Sequence, residues 1–328
     1  MTRLCPTSLA FTVRQVVGIV TTVLLPLLAT SAGGATSAVT LRYEGVLNLS
    51  RHQDGRLLPA AVTCAPQAGG LVVTDAAHGA FHILNAAGVE TFRTTGFAGL
   101  SQPDDGAIDH EGRLVGITLV DGARRLPVRL DVYGEPDSWR AAAPREAWQP
   151  GHVLVAQDGN YVTIDGDSGL LAKHDAATGD LIWAAVVVDG EDQGQELEMG
   201  LGRPVQLSDG TYALCGSNLH RVLLVDEGGA VRSSFGRFGS SPGRMVAPVA
   251  VAEGPGGCLL VLDQMRHKVI AFDREGGFLS EYGSIGDAPG AFYHPVSMAT
   301  DGAGHLYVAQ GYRGRVQVFS VLADGTVE

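Results

Sequence analysis

The stretch Gly243–Asp273 reads GRMVAPVAVAEGPGGCLLVLDQMRHKVIAFD, and the stretch Gly290–Ser320 repeats its pattern as GAFYHPVSMATDGAGHLYVAQGYRGRVQVFS. In both copies a Gly stands five residues before a Pro, a second Gly lies nine residues after that Pro, and an apolar run follows. The two copies begin 47 residues apart. Short apolar runs separated by Gly-rich turns at such a period are typical of propeller blades, which bury their faces only against neighbouring blades. The sequence therefore predicts an all-β propeller.

The proline of this repeat, called the marker proline below, predicts six blades. It recurs at steps of 44 to 54 residues, at Pro59, Pro103, Pro150, Pro204, Pro248 and Pro295. We expect it to begin the innermost strand of each blade, where a missing N–H costs least. Second strands are predicted at Leu71–Val73, Leu114–Val115, Tyr161–Val162, Tyr212–Leu214, Leu259–Val261 and Leu306–Val308, and third strands at Phe81–Leu84, Val128–Val132, Leu170–His174, Val222–Val225, Val269–Phe272 and Val316–Phe319.

The two ends of the chain complement each other. The sixth blade reaches Glu328 before a fourth strand can form, while the strand-like stretch Val39–Leu49 stands ahead of the first marker proline. Pairing them would remove an exposed sheet edge. We therefore expect Leu41–Leu49 to be the outer strand of the last blade and to close the ring.

Two segments depart from the repeat. In the second blade Pro127 falls inside the third strand, which places Arg124 and Arg125 in a longer loop. In the third blade the stretch Asp175–Trp183 resembles the Asp-x-x-Thr-Gly-x-x-x-Trp stretch of quinoprotein propellers. In that family the motif docks blades against one another, so the resemblance implies packing and no quinone cofactor.

The two quoted copies resemble NHL repeats. The resemblance rests on the Gly-x-Phe-x-x-Pro beginning at Gly290–Pro295, the second strand GHLYVA at Gly304–Ala309 and the third strand GRVQVF at Gly314–Phe319. It implies a six-bladed propeller. NHL proteins mostly bind partners, and one branch is a zinc-dependent lyase of amidating peptide processing, so the resemblance implies either binding or, in that branch, metal-dependent catalysis.

Residues 1–32 have the features of a secretory signal peptide. Basic residues precede the apolar run Val16–Leu28, and small residues follow at Ala29–Ala32. The alternative is a membrane anchor, but Pro26 interrupts a run that is shorter than the ~20 residues a spanning helix needs. We therefore expect residues 33–328 to be a single propeller domain, secreted or periplasmic, with no stable membrane span after cleavage.

The charge balance argues against nucleic acid as a partner. The chain has 23 basic and 35 acidic residues, a formal net charge of −12, and only two lysines, Lys173 and Lys268. Binding phosphates needs a basic patch, which this distribution does not supply. We expect a protein or peptide partner.

His294, directly before Pro295, is the strongest candidate for chemistry in the central channel. A catalytic zinc takes about three protein ligands, usually histidines. The ring at this level supplies one histidine. His152, two residues after Pro150, would bring the number only to two. We therefore expect no metal site and no cofactor. The positions equivalent to His294 in the other blades are Leu58, Gln102, Gln149, Arg203 and Ala247.

Two further groups contain residue types that could form a site. The loop Asp189–Glu198 carries five carboxylates in ten residues, but Gly200 stands where an EF-hand has its twelfth-position acid, so a solvated loop is expected. Cys64, Cys215 and Cys258 are an odd number without a Cys-x-x-Cys pair, and we expect three free thiols.

The sequence favours a scaffold that binds a protein or peptide through one face of the ring. That face carries the connections into each first strand and out of each second strand. The alternative is a metal-dependent lyase or hydrolase with an active site at the central channel. Besides the acidic loop, the residues expected on the binding face and channel mouth are Gln102, Asp104, Asp105, Gln149, Arg203, His294, Arg266, Tyr312 and Arg313.

Overall fold

The computed structural model describes residues 39–50, 57–65, 70–94, 100–120, 122–131, 134–187 and 199–323. The expected signal peptide, residues 1–32, and the acidic loop Asp189–Glu198 lie outside these described residues. Within the described ranges the regular structure is β, apart from the short 3₁₀ helices Pro255–Gly257 and Gly311–Arg313. None of the described residues forms a helix long and apolar enough to cross a membrane.

The strands form six antiparallel sheets, so the prediction of a six-bladed propeller is confirmed. In chain order the strands are β1 (Val39–Val46), β2 (Pro59–Cys64), β3 (Leu71–Asp75), β4 (Ala80–Leu84), β5 (Glu90–Arg93), β6 (Leu100–Ile108), β7 (Leu114–Val120), β8 (Arg124–Leu130), β9 (His152–Val155), β10 (Tyr161–Asp165), β11 (Leu170–His174), β12 (Leu181–Val186), β13 (Val205–Gln206), β14 (Tyr212–Gly216), β15 (Arg221–Val225), β16 (Val231–Phe235), β17 (Pro248–Glu253), β18 (Leu259–Asp263), β19 (Lys268–Phe272), β20 (Phe278–Tyr282), β21 (Ser297–Thr300), β22 (His305–Gln310) and β23 (Arg315–Ala323).

The blades follow the chain. Blade one is β2 to β5, blade two β6 to β8, blade three β9 to β12, blade four β13 to β16 and blade five β17 to β20, while blade six is β21 to β23 with β1. First strands of neighbouring blades contact each other around the channel: β2 contacts β6 and β21, β6 contacts β9, and β17 contacts β21. We call the end of the ring where first strands begin the upper face, and the end where they finish the lower face.

The expected closure of the ring is present. β1 pairs antiparallel with β23, with Leu41 opposite Val321 and Tyr43 opposite Phe319. Leu41 is buried in the core between blades five and six, whereas its neighbours Thr40 and Arg42 are exposed. The strand ends at Val46, three residues earlier than the predicted Leu49.

Burial follows strand position within a blade. Second strands such as β10, β14 and β18 are buried at every residue, because both of their faces pack against other blades. The outer strand β12 alternates between exposed and partly buried residues, since one of its faces meets water. This difference explains why the second strands read as continuous apolar runs in the sequence.

Among the described residues blade two has three strands, and one prediction about it is wrong. Arg124 and Arg125 do not lie in a loop: they begin β8, which pairs with β7 along its whole length. Pro127 is tolerated within β8 because this is the outermost strand of the sheet, where no partner needs its N–H. The segment after β8 packs on blade three instead, with Trp139 against Tyr161 at 5.1 Å between ring centroids.

The Asp175–Trp183 stretch packs between blades, as the quinoprotein resemblance implied. The Asp175 carboxylate accepts hydrogen bonds from the N–H groups of Ala177 and Thr178 and so fixes the turn into β12. Trp183 in β12 lies against Tyr212 of blade four, 6.4 Å between ring centroids.

The turns between first and second strands explain the glycine spacing. Gly257 and Gly304 have φ values of 77° and 94°, in the left-handed region that side chains with a Cβ rarely adopt. The marker-to-glycine distance is therefore set by the length of the first strand. Cys64, Cys215 and Cys258 are free, as expected.

Replacing Leu41 by Ala should test the closing strand. Removing a buried leucine costs about 2–5 kcal/mol, and at roughly 2–4 °C per kcal/mol this lowers Tm by several degrees or more. Thr40→Ala, on the exposed side of the same strand, is the matched control and should shift Tm by less than about 2 °C. Equal Tm values for the two variants in a thermal melt would contradict the closure.

Candidate functional site

One layer of the central channel carries a buried ion pair. The strand register places one residue from each first strand at the same level, because each stands opposite the fourth residue of the apolar run that forms its second strand. Four of the six side chains at this level are polar. The layer consists of Ala61, Asp105, His152, Arg203, Ala250 and Ser297.

Asp105 and Arg203 form the centre of this layer. Arg203 Nε donates to Asp105 Oδ2 at 3.1 Å and to the Val153 carbonyl oxygen at 3.1 Å. The Val153 N–H also donates to Asp105 Oδ2, at 3.1 Å, and His152 Nδ1 lies 3.4 Å from the same oxygen. Residues of blades two, three and four are thus joined at one fully buried carboxylate.

The environment keeps Asp105 ionised. Burial by itself raises the pKa of a carboxyl group. Here the positive charge of Arg203, the nearby His152 ring and the Val153 N–H outweigh that effect, and the pKa of Asp105 is lowered from its ordinary value. The layer therefore holds a buried ion pair at neutral pH.

The register also corrects the expected position of Arg203. Leu201 forms a bridge to Gly216 in blade four, as Pro248 pairs with the equivalent Asp263 in blade five. Leu201, and not Pro204, therefore holds the marker position of blade four. Arg203 lies inside the channel rather than at its mouth.

Three predicted residues lie on the upper face of blades two and three. Asp104 forms an ion pair with Arg125 of β8, and Gln149 Oε1 accepts the Arg125 N–H at 3.1 Å. Gln102 has a left-handed φ of 50° and its side chain is exposed. The structure thus brings Asp104 and Gln149 together around a residue that was predicted to lie in a loop.

Three others form an aromatic cluster on the upper face of blades five and six. His294 lies 5.6 Å from the Tyr312 ring and 5.3 Å from the His267 ring. The Arg313 guanidinium carbon is 4.3 Å from the centre of the Tyr293 ring. We call these five residues, His267, Tyr293, His294, Tyr312 and Arg313, the aromatic cluster.

Backbone geometry holds the two histidines of the cluster. His267 and His294 have φ values of 56° and 43°, which are uncommon for residues other than glycine. The His294 N–H donates to His267 Nδ1 at 3.3 Å. Burial, followed by repulsion from His294, lowers the pKa of His267 from its ordinary value, which favours the neutral ring.

Arg266 is largely buried and stabilises the fold. Its side chain is 6% exposed and donates to Glu281 Oε2 at 2.8 Å and to the Ser240 carbonyl oxygen at 2.9 Å. These bonds tie the turn after β18 to the loop ahead of β17. Arg266 therefore presents little of its charge to a partner.

Several loops of the upper face expose large side chains, among them Tyr312 of the aromatic cluster. Phe238 is 66% exposed, Ile285 63% and Tyr312 77%. Met265 and Leu58 are also exposed, and Leu58 Cδ1 lies near Gly311 of the 3₁₀ helix that carries Tyr312. All five belong to loops that lead into first strands or join second to third strands. Among the described residues, no three His, Cys, Asp or Glu side chains are grouped closely enough to hold a metal ion.

Comparisons with known proteins identify the fold. No protein-family model matches the sequence, and no curated protein sequence matches it. A structural genomics protein of unknown function from Bacteroides thetaiotaomicron is similar, with a TM-score of 0.64, 12% identity, and coverage of 87% of this chain and 76% of that one.

Two other propellers are also similar. Virginiamycin B lyase from Staphylococcus aureus has a TM-score of 0.58 and 13% identity, covering 88% of this chain and 90% of that one. The Swd1 propeller domain from Myceliophteria thermophila has a TM-score of 0.56 and 11% identity, covering 80% and 82%. The chain is a six-bladed β-propeller.

Several residues of these sites were not predicted. The sequence indicates His152 only as a possible second histidine near His294, and it does not indicate His267 or Tyr293. The repeat did contain one signal: His267 stands 47 residues before Gly314, at a left-handed position that blade four also fills with a histidine, His220, and where Gly79, Gly169 and Gly314 stand in other blades. A histidine at such a position indicates a local constraint beyond the fold.

Asp105→Asn should destabilise the protein much more than Asp104→Asn. The first change leaves Arg203 buried beside a neutral group, which costs about 3–5 kcal/mol, whereas the partly exposed pair of Asp104 and Arg125 contributes about 1 kcal/mol or less. Urea unfolding at pH 7 measures both.

The same variant gives a pH test. Because the pKa of Asp105 is lower in the folded state, its contribution is complete above its unfolded pKa of about 4 and is lost as the pH falls through the folded pKa. The stability difference between wild type and Asp105→Asn should therefore shrink below about pH 4. A difference that stays constant down to pH 2 would contradict the buried ion pair.

Proposed function

We propose that the protein is a secreted or periplasmic propeller of the NHL type that binds a protein or peptide through its upper face. The observation that carries this proposal is the aromatic cluster with its 77% exposed Tyr312, together with the exposed apolar side chains of other loops on the same face. They come from loops of blades four, five, six and one. Large exposed apolar groups that lie together mark interaction surfaces more often than isolated ones do.

The composition of the cluster suits a binding centre. Tyr and Arg are enriched among residues that dominate binding energies, because they offer large contact area with a polar end. Tyr312 projects from the 3₁₀ helix Gly311–Arg313, and Arg313 is held over Tyr293 while it pairs with Asp287 at 2.5 Å. The cluster is thus arranged before any partner arrives, which lowers the entropic cost of binding.

Location and family rest on the sequence. The pattern of residues 1–32 supports export, and the marker proline, GHLYVA and GRVQVF support NHL-type repeats. The acidic balance supports a partner other than nucleic acid.

The alternative is a metal-dependent lyase or hydrolase acting at the channel. Virginiamycin B lyase shares the fold, and a form of that enzyme in which one histidine is replaced by alanine is catalytically inactive and was solved with quinupristin. At this low identity the likeness extends to the fold alone. About one zinc per purified chain, lost together with an activity in His294→Ala, would favour the alternative.

The binding role can be tested with a photo-crosslinking amino acid at position 312. At position 182, on the outer strand β12, the same probe is the control, because Ile182 is also exposed but lies away from the upper face. A partner that is crosslinked in the secreted or periplasmic fraction from position 312 and not from 182 is then purified.

Its affinity is measured for wild type, Tyr312→Ala and Ile182→Ala. A central tyrosine contributes about 2 kcal/mol or more, so Tyr312→Ala should weaken binding roughly thirtyfold. Ile182→Ala should leave the affinity unchanged. A partner bound equally by both variants would place the binding surface elsewhere.

A further inference from the structure

The lower end of the channel opens into a cavity of about 780 Å³. Its wall is made by the lower halves of first strands and by the turns that follow them. Most of the side chains in this wall are small or apolar, including Ala107, Leu154, Val205, Ala252 and Met298. The thiol of Cys64 is also in the wall, and burial raises its pKa to about 12, so it is a neutral group at physiological pH.

Arg203 stands at the inner end of this cavity. It borders the large lower cavity and also a small void at the level of the charged layer. Its Nε is used by Asp105 and Val153. Nη1 and Nη2 have no hydrogen-bond partner among the described residues, and neither is a sealed buried atom. Two donors of a guanidinium therefore remain available where the cavity ends.

The other polar side chains of the wall are already engaged. Glu253 accepts hydrogen bonds from Arg274 Nη2 and Ser208 Oγ, both at 2.7 Å. Asp301 pairs with His305 Nδ1 at 2.7 Å, and Gln157 Nε2 donates to the Leu207 carbonyl oxygen at 2.9 Å. The two carboxylates at the rim are thus satisfied by the protein. In this wall, Arg203 is the cation whose Nη1 and Nη2 donors remain available.

We propose that the lower cavity binds a small organic carboxylate with an apolar body. The carboxylate would accept hydrogen bonds from Nη1 and Nη2 of Arg203, whose planar pair of donors matches two carboxylate oxygens. The body would lie along Leu154, Val205, Ala252 and Met298. A volume of this size, largely apolar with a few fixed polar groups, is characteristic of small-molecule sites.

Asp105 has a positioning role in this site. It holds Arg203 through Nε, so the guanidinium plane is fixed while its Nη edge stays open. The arrangement keeps the cation from folding onto the rim carboxylates. The inference does not rest on partner binding at the upper face, because the two sites use different ends of the ring.

Calorimetric titration of the purified protein with 4-phenylbutyrate and its neutral counterpart 4-phenylbutanamide tests the proposal. The acid should bind at least tenfold more tightly than the amide, since a hydrogen-bonded charge pair is worth about one factor of ten or more. Acetate, which has the charge without the body, should bind at least tenfold more weakly than 4-phenylbutyrate.

Two variants locate the site. Asp105→Asn with Arg203→Gln removes both charges together and should reduce the preference for the acid to less than twofold. Ala303→Trp, at an exposed position of the cavity rim, leaves the ion pair intact and should weaken acid and amide alike. If the double variant does not fold, Ala303→Trp and the comparison of acid with amide still test whether the cavity binds the carboxylate.

Tyr312→Ala, at the opposite face, should leave 4-phenylbutyrate binding unchanged. A failure of the carboxylate-site proposal can therefore be distinguished from a failure of the proposed partner binding. Equal binding of acid and amide to the wild type would overturn the proposal. So would 4-phenylbutyrate affinity that Ala303→Trp leaves intact.

Discussion

The pairing of β1 with β23 is the interaction on which the ring depends. Five blades are made from consecutive strands, and blade six is completed by a strand from the opposite end of the chain. Phe319 of β23 is fully buried at the centre of this closure, with the rings of Tyr43, Tyr282 and Phe292 within 5.6 to 5.8 Å. These rings belong to blades five and six, so the strand pairing and the contact between blades stabilise each other. Once the ring is closed, every blade has both faces covered.

The two ends of the channel differ in chemistry because of one layer of side chains. Asp105, His152 and Arg203 come from successive blades at the same level, and each alone would be a costly group to bury. Asp105 and Arg203 satisfy each other, and with the nearby His152 they join three inner strands. Above them the loops present aromatic rings and apolar groups, and below them the wall is small and apolar. The layer is therefore both a brace for the ring and the boundary between two separate surfaces.

The repeat predicted the architecture well because strand order and spacing are local properties. Second and third strands are predicted by the apolar runs that follow the turns. The closing strand is predicted because the sixth blade lacks a fourth strand while a strand-like stretch precedes the first marker proline. The error at blade four has a local cause: Pro204 imitates a marker, but Leu201 holds that place in the register. The sites could be predicted only in part. Asp105 and Arg203 are 98 residues apart in the chain, and their contact depends on how far each first strand enters the channel. The sequence predicts an accessible Arg266 because no residue near it in the chain indicates that Glu281 and Ser240 accept its hydrogen bonds.

The closing strand also sets the order in which the protein can be completed. Ser320 Oγ donates to Glu44 across 276 residues of chain, so β1 is among the first strands to leave the ribosome and the last to find its partner. During that interval its edge is open, and so is the edge of β23 in any neighbouring copy whose own ring has not yet closed. Exchange of β1 between two such copies would satisfy both edges with the same contacts that close a single ring. The feature that makes the finished ring stable thus makes its assembly sensitive to protein concentration until β1 and β23 of the same chain have met.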